Sequence, residues 1–118
     1  MKHNQLSPAQ EERLAKLTEE CGEISQMVGK TLVHGWNNFH PRKPEEGTNR
    51  ERLEKEIGGL LAVVTIMATA GDIDMSRITD ARRAKQIDIW KYLHEQENHG
   101  TNTGEGSGDS EDRRRGCC

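Results

Sequence analysis

Residues 49–70 read NRERLEKEIGGLLAVVTIMATA, and the spacing of their apolar positions decides the fold class. On a helix that advances ~100° per residue, an apolar stripe lies within about 60° of Leu60. The stripe consists of Leu53, Ile57, Val63, Val64 and Met67. This periodicity predicts an amphipathic helix that starts near Asn49 and ends near Ala70.

Two further segments carry helical signals. Ser7 followed by Pro8 predicts the start of a first helix, which runs to about Val33. Its apolar residues recur at steps of three and four: Leu14, Leu17, Cys21, Ile24 and Val28. Glycine, proline and asparagine between residues 34 and 49 predict a loop, and a third helix is expected from near Ser76 to about Gln96.

No segment has the alternation of a strand, so the expected class is all-α: a helical bundle completed by oligomerisation. The chain has 118 residues, 31% of them hydrophobic and only four aromatic. A core this small favours a homodimer or homotetramer, in which a second copy supplies additional burial. We predict one helical domain over residues 1–97 and a disordered polar tail over residues 98–118.

Charge and cysteine content exclude several classes of protein. A net charge of −3 is atypical of general nucleic-acid binders, so no direct nucleic-acid binding is expected. The longest apolar run, residues 60–70, is shorter than the roughly 20 residues that span a bilayer, so no membrane association is expected. Three cysteines without a secretory signal favour the cytoplasm.

Three glutamates crowd one part of the first helix. Glu20 and Glu23 are neighbours on the helix surface, as are Glu19 and Glu23, so each of these pairs is repulsive. Lys16 is the only basic residue close to them in sequence. The group is either an ordinary solvated helix face or part of a cation site.

A fourth glutamate has a less ordinary position. Glu56 lies about 40° from Leu60, inside the apolar arc of the second helix. Glutamate is rarely buried without a partner, so Glu56 either pairs with an arginine, reaches solvent at the bundle edge, or binds a metal ion. Carboxylates on two helices that point toward the same bundle interior indicate a site for a hard divalent cation such as Mg²⁺.

These same residues carry a family resemblance. Residues 17–23, LTEECGE, resemble the Glu-Glu-x-x-Glu motif of MazG-like all-α nucleoside triphosphate pyrophosphatases. Residues 56–61, EIGGLL, are similar to the second motif of that family, Glu-x-x-Asp followed by an apolar run. Residues 30–36, KTLVHGW, resemble the connection in small, often phage-encoded members. The resemblance extends over about residues 10–96.

The resemblance implies hydrolysis of a nucleoside or deoxynucleoside triphosphate to the monophosphate and pyrophosphate, in the cytoplasm of a bacterium or a phage-infected host. Glu20, Glu23 and Glu56 would hold Mg²⁺, or Mn²⁺, with Glu19 assisting in catalysis. Four further residues are candidates for substrate binding. Lys30 and Lys85 would contact phosphates, and the rings of His34 and Trp36 would stack on the base. The alternatives are that the lysines are solvated and that the two rings anchor the loop.

One position departs from the family pattern. Where the second motif ends in aspartate, this chain has Gly59, which supplies no ligand. Glycine also costs a helix interior about 1 kcal/mol relative to alanine. The departure leaves two functions open: a pyrophosphohydrolase with weakened activity, or a catalytically inactive MazG-like module that binds nucleotide or a protein partner.

Overall fold

The computed structural model describes residues 3–96, so the predicted tail at residues 98–118 lies outside the described residues. The chain divides into two compact units, Met1–Ile73 and Asp74–Cys118. The domain prediction, one helical domain over residues 1–97, stays a prediction.

The first helix, α1, extends over Pro8–His34. The Ser7 hydroxyl accepts the Gln10 backbone N–H at 3.1 Å, and the Gln10 side chain accepts the Ser7 N–H at 2.9 Å. This reciprocal capping box satisfies backbone donors that a helix start leaves free. The helix stops at Gly35, whose φ of 84° is available to glycine at little cost, and the Gly35 N–H donates to the Thr31 carbonyl.

The second helix, α2, extends over Asn49–Thr69 and begins with a second capping box, formed by Thr48 and Glu51. The predicted cap was therefore displaced by one residue. Asn49 is instead the first helical residue, and its buried side chain donates to the Gly35 carbonyl at 2.9 Å. This hydrogen bond ties the start of α2 to the end of α1. The connection between the helices contains a short 3₁₀ turn, Pro44–Glu46, and an isolated bridge between Phe39 and Thr48.

Helices α1 and α2 pack as an antiparallel hairpin. Three of its apolar side chains are buried, Met27 of α1 and Val63 and Met67 of α2. At the end remote from the connection, the Arg13 guanidinium donates twice to the Asp72 carboxylate, at 2.6 and 3.0 Å. These hydrogen bonds hold the pKa of Asp72 below its ordinary value.

Several large apolar side chains of this hairpin remain exposed. Leu32 is 81% exposed, Val33 75% and Leu61 59%. Two helices alone cannot cover the apolar surface that each of them presents.

The second unit contains α3, Met75–Asp88, followed by a 3₁₀ turn, Ile89–Tyr92. The Asp74 carboxylate caps α3 by accepting the Ser76 N–H at 2.8 Å. The prediction that this helix reaches Gln96 was wrong, because the last turn tightens into 3₁₀ geometry, as helix ends frequently do. The all-α class is confirmed: residues 3–96 contain three α-helices and no strand. Within the same residues, no helix has both the length and the apolar character needed to cross a membrane.

Candidate metal centre

Three carboxylates converge where α1 faces α2. Glu20, Glu23 and Glu56 each offer one oxygen, and these oxygens all lie within 4.8 Å of one another. Glu20 is only 7% exposed, and the other two residues are half-buried. The cluster arises because Glu20 and Glu23 are one turn apart on α1, while Glu56 lies on the face of α2 that packs against that turn.

The carboxyl of Glu23 lies close to that of Glu56. Hydrogen bonding with Glu56 raises the pKa of Glu23 above its ordinary value, and desolvation and the negative charge of Glu56 raise it further. Two carboxyls this close repel one another when both are ionised, and a divalent cation would relieve that repulsion.

Lys16 approaches the cluster from the preceding turn of α1. Its ammonium nitrogen lies 3.5 Å from Glu20 Oε1 and 3.1 Å from Glu19 Oε1. The Glu19 side chain is 55% exposed and lies outside the group of three converging carboxylates. Its predicted assisting role stays a prediction. Among the described residues, no arginine is paired with Glu56.

Gly59 faces the Glu20 carboxylate directly. A Cβ atom added at Gly59 would lie 3.1 Å from the Glu20 carboxyl carbon and would overlap Glu20 Oε2. The carboxylate of Glu20 thus occupies the space in which any side chain at position 59 would begin. The absence of an aspartate at position 59 was evident from the sequence. The sequence did not show that the Glu20 carboxylate occupies the space of a side chain at that position.

The predicted substrate-binding residues do not all come together. Lys30 and His34 line a cavity of about 610 Å³ at the loop end of the hairpin. The Trp36 ring instead lies 5.1 Å from the Arg50 guanidinium carbon, and the Trp36 carbonyl accepts the Arg50 N–H. These contacts favour the loop-anchoring alternative for Trp36. Lys85 lies on α3 in the second unit, and its phosphate-binding role stays a prediction.

Other lining residues of this cavity were missed from the sequence. Arg52, Phe39 and His40 contribute to its wall. Arg52 was detectable, since it lies one turn before Glu56 and therefore on the same face of α2. Phe39 and His40 belong to the loop, where no periodicity indicates the direction of a side chain.

Comparison with protein families agrees with this arrangement of helices and carboxylates. The sequence model of the MazG nucleotide pyrophosphohydrolase domain matches residues 9–91. The chain belongs to the MazG family. MazG proteins act on nucleotides and typically use a divalent metal. Three oxygen donors of like charge, close together and partly desolvated, suit such an ion. No curated protein and no solved structure is significantly similar to the chain.

The raised pKa of Glu23 makes the stability of the protein in the absence of metal depend on pH. Because the pKa of Glu23 is raised on folding, its stabilising contribution is present at acid pH and is lost as pH rises through the raised value. Glu23→Gln cannot ionise and should escape this loss. In EDTA, the difference in melting temperature, Glu23→Gln minus the unaltered protein, should therefore increase from acid to neutral pH.

Thermal denaturation over a pH series measures this difference. Glu54→Gln removes one exposed carboxylate from α2 and is the matched control, for which the difference should not change with pH. Parallel pH profiles for Glu23→Gln and the unaltered protein would show that folding does not raise the pKa of Glu23.

Proposed function

We propose that this MazG protein is a nucleotide pyrophosphohydrolase that cleaves a nucleoside or deoxynucleoside triphosphate to the monophosphate and pyrophosphate with the help of a divalent metal. The observation that carries the proposal is the convergence of Glu20, Glu23 and Glu56 within 4.8 Å. Carboxylates from facing helices approach this closely at a cost in repulsion, and a cation would remove that cost.

The carboxylates, the lysines and the histidine have separate roles in this proposal. Glu20, Glu23 and Glu56 would hold Mg²⁺, for which Mn²⁺ could substitute, and Glu19 would assist from the adjacent exposed position. When bound, the metal would orient a water molecule for attack on the α-phosphorus and lower the pKa of that water. It would also neutralise charge on the phosphates. Lys30 and His34 would contact the substrate from the neighbouring cavity. Lys16 would stabilise the Glu20 carboxylate when no metal is bound.

A second candidate function follows from Gly59. The site has three converging carboxylates and lacks the aspartate with which the second family motif ends, and Lys16 lies close to the most buried of the three. Such a site favours weaker metal binding. The corresponding function is a MazG-like module that binds nucleotide or a protein partner without turnover.

We also propose that the protein assembles as a homodimer or homotetramer in the cytoplasm of a bacterium or a phage-infected cell. Support for assembly comes from the exposed apolar residues of the hairpin, among them Leu32, Val33 and Leu61. Packing these residues against a second hairpin would complete a bundle of the usual kind.

Pyrophosphate release tests the enzymatic proposal. Canonical and modified triphosphates are incubated with the full chain and Mg²⁺ or Mn²⁺, and EDTA should abolish any release. Independently of turnover, the metal should raise the melting temperature, because a ligand at 100 times its Kd stabilises a protein by about 2.7 kcal/mol. Metal-dependent stabilisation without pyrophosphate release would favour the binding module. Absence of both would contradict a metal site.

A further inference from the structure

The end of α2 remote from the connection has a well-defined backbone geometry. Gly71 has a φ of 85°, and its N–H donates to the Ala68 carbonyl at 3.1 Å. The Asp72 N–H donates to the Met67 carbonyl at 2.9 Å. Together these hydrogen bonds form a Schellman motif, in which the residue after the glycine is commonly apolar. Here that residue is Asp72, so the motif fixes the point from which a carboxylate projects.

Arg13 of α1 binds this carboxylate with two donors. Its Nε donates to Asp72 Oδ2 at 2.6 Å, and its Nη2 donates to Oδ1 at 3.0 Å. The two side chains are only 24% and 11% exposed. Parallel hydrogen bonds of this kind require a defined position of the planar guanidinium relative to the carboxylate. A slide of α1 along α2 by one residue, about 1.5 Å, would misalign both of them.

The apolar packing of the hairpin specifies its register less sharply. Within residues 3–96, the buried apolar side chains are Met27, Val63 and Met67. Methionine is unbranched and adapts to gaps of different shape, so two of the three tolerate small displacements of one helix along the other. A partly buried ion pair contributes little net stability, and its best-attested use is to select one register.

The carboxylate cluster lies between two polar contacts that join the helices. Arg13 precedes Glu20 by seven residues, which places both on one face of α1 and about 10 Å apart along the axis. Asn49 precedes Glu56 by seven residues on α2, and its buried side chain donates to the end of α1. The Asn49 contact fixes the loop end of the hairpin, and the Arg13 contact fixes the other end.

We propose that Arg13 and Asp72 are positioning residues, whose ion pair fixes the register of α1 against α2 at which the three carboxylates converge. The pair touches none of these carboxylates and acts through the placement of the two helices. Its effect on register is independent of metal. The consequence for metal affinity rests on the metal-dependent function proposed above.

Distances between spin labels measure the register in EDTA. The labels are attached at Ser25→Cys on α1 and Lys55→Cys on α2, two exposed positions beside the cluster, in a full chain whose own cysteines are replaced with serine. Dilution with unlabelled chain restricts the measurement to distances within one chain, and their distribution should be narrow. With Arg13→Met and Asp72→Leu combined, it should broaden or shift by about 1.5 Å or more, the rise of one helical residue.

This double variant separates register from stability. Arg13→Met alone leaves a buried carboxylate unpaired and should lower the melting temperature in EDTA. Adding Asp72→Leu removes that charge and should restore the melting temperature. The distance distribution should nevertheless stay altered, because apolar contacts are non-directional. If Arg13→Met does not fold, as judged by circular dichroism, the double variant is measured without it.

Titration with Mn²⁺ tests the consequence for the carboxylate cluster. The affinity of the double variant should fall by about tenfold, since residues that orient metal ligands change affinity by roughly 10–100-fold. Arg77→Met is the matched control, because it removes an exposed arginine that pairs with Asp74 in the second unit. This variant should change neither the Mn²⁺ affinity nor the label distance.

Three results would overturn the assignment. One is a distance distribution in the double variant equal to that of the otherwise unaltered labelled chain. Another is an equal change of the distribution in Arg77→Met. The third is an altered distribution with unchanged Mn²⁺ affinity. Failure of the unaltered protein to bind Mn²⁺ would instead contradict the function proposed above, and the label distances would still decide whether the ion pair sets the register.

Discussion

Replacing Glu56 with glutamine should reduce pyrophosphate release by about 100-fold or more, because even partners that only orient metal ligands change activity by roughly 10–100-fold. Glu56 is the only member of the carboxylate cluster on α2. Its loss would leave Glu20 and Glu23 on a single helix, unable to enclose a cation from two sides. Initial rates at several Mg²⁺ concentrations measure the effect and show whether added metal restores activity.

Glu54→Gln is the matched control for Glu56→Gln. It makes the same chemical change two residues away on α2, at an exposed position. Its activity should equal that of the unaltered protein. Equal activity of all three proteins would mean that pyrophosphate release does not depend on the carboxylate cluster.

Gly59→Asp should have opposite effects in the absence and presence of metal. The new Cβ would overlap Glu20 Oε2, so the Glu20 carboxylate must rotate away. Without metal, a fourth carboxylate adds repulsion to a site in which the neighbouring carboxyl already raises the pKa of Glu23, and the melting temperature should fall. With Mg²⁺, the aspartate supplies the ligand that the family motif expects, and the apparent metal affinity should rise on the order of tenfold.

Gly58 provides the control for this change. A Cβ atom at Gly58 would meet nothing within 4 Å, so Gly58→Asp has the same charge and nearly the same helix propensity without reaching Glu20. Gly58→Ala should stabilise the helix by about 1 kcal/mol, whereas Gly59→Ala should gain less because it displaces Glu20. Equal metal affinity of Gly59→Asp and Gly58→Asp would show that position 59 does not face the metal.

These two substitutions also distinguish the two candidate functions. Turnover by the unaltered protein that Glu56→Gln removes would establish an enzyme that tolerates glycine at position 59. Turnover only in Gly59→Asp would identify a disabled catalytic site and favour the binding module.

Local signals in the sequence were sufficient for the first two helices. The Ser7 and Pro8 start signal and the glycine at position 35 predicted the bounds of α1 closely, because capping depends on neighbouring residues only. The cap of α2 was displaced by one residue, since both Thr48 and Asn49 suit a cap and only the glutamate at position 51 completes the box with Thr48. The end of α3 was missed because a 3₁₀ turn has nearly the same local pattern as an α-helix.

The sequence by itself determined that two amphipathic helices carry carboxylates on or beside their apolar faces, because helical periodicity fixes the direction of each side chain about its own axis. Only the tertiary structure decided which carboxylates meet. It buries Glu20, leaves Glu19 exposed beside Lys16, places the Glu20 carboxylate in the space above Gly59, and brings Arg52 into one cavity with Lys30. These results depend on the rotation and register of α1 against α2, which are set by the packing of the two helices rather than by any local pattern.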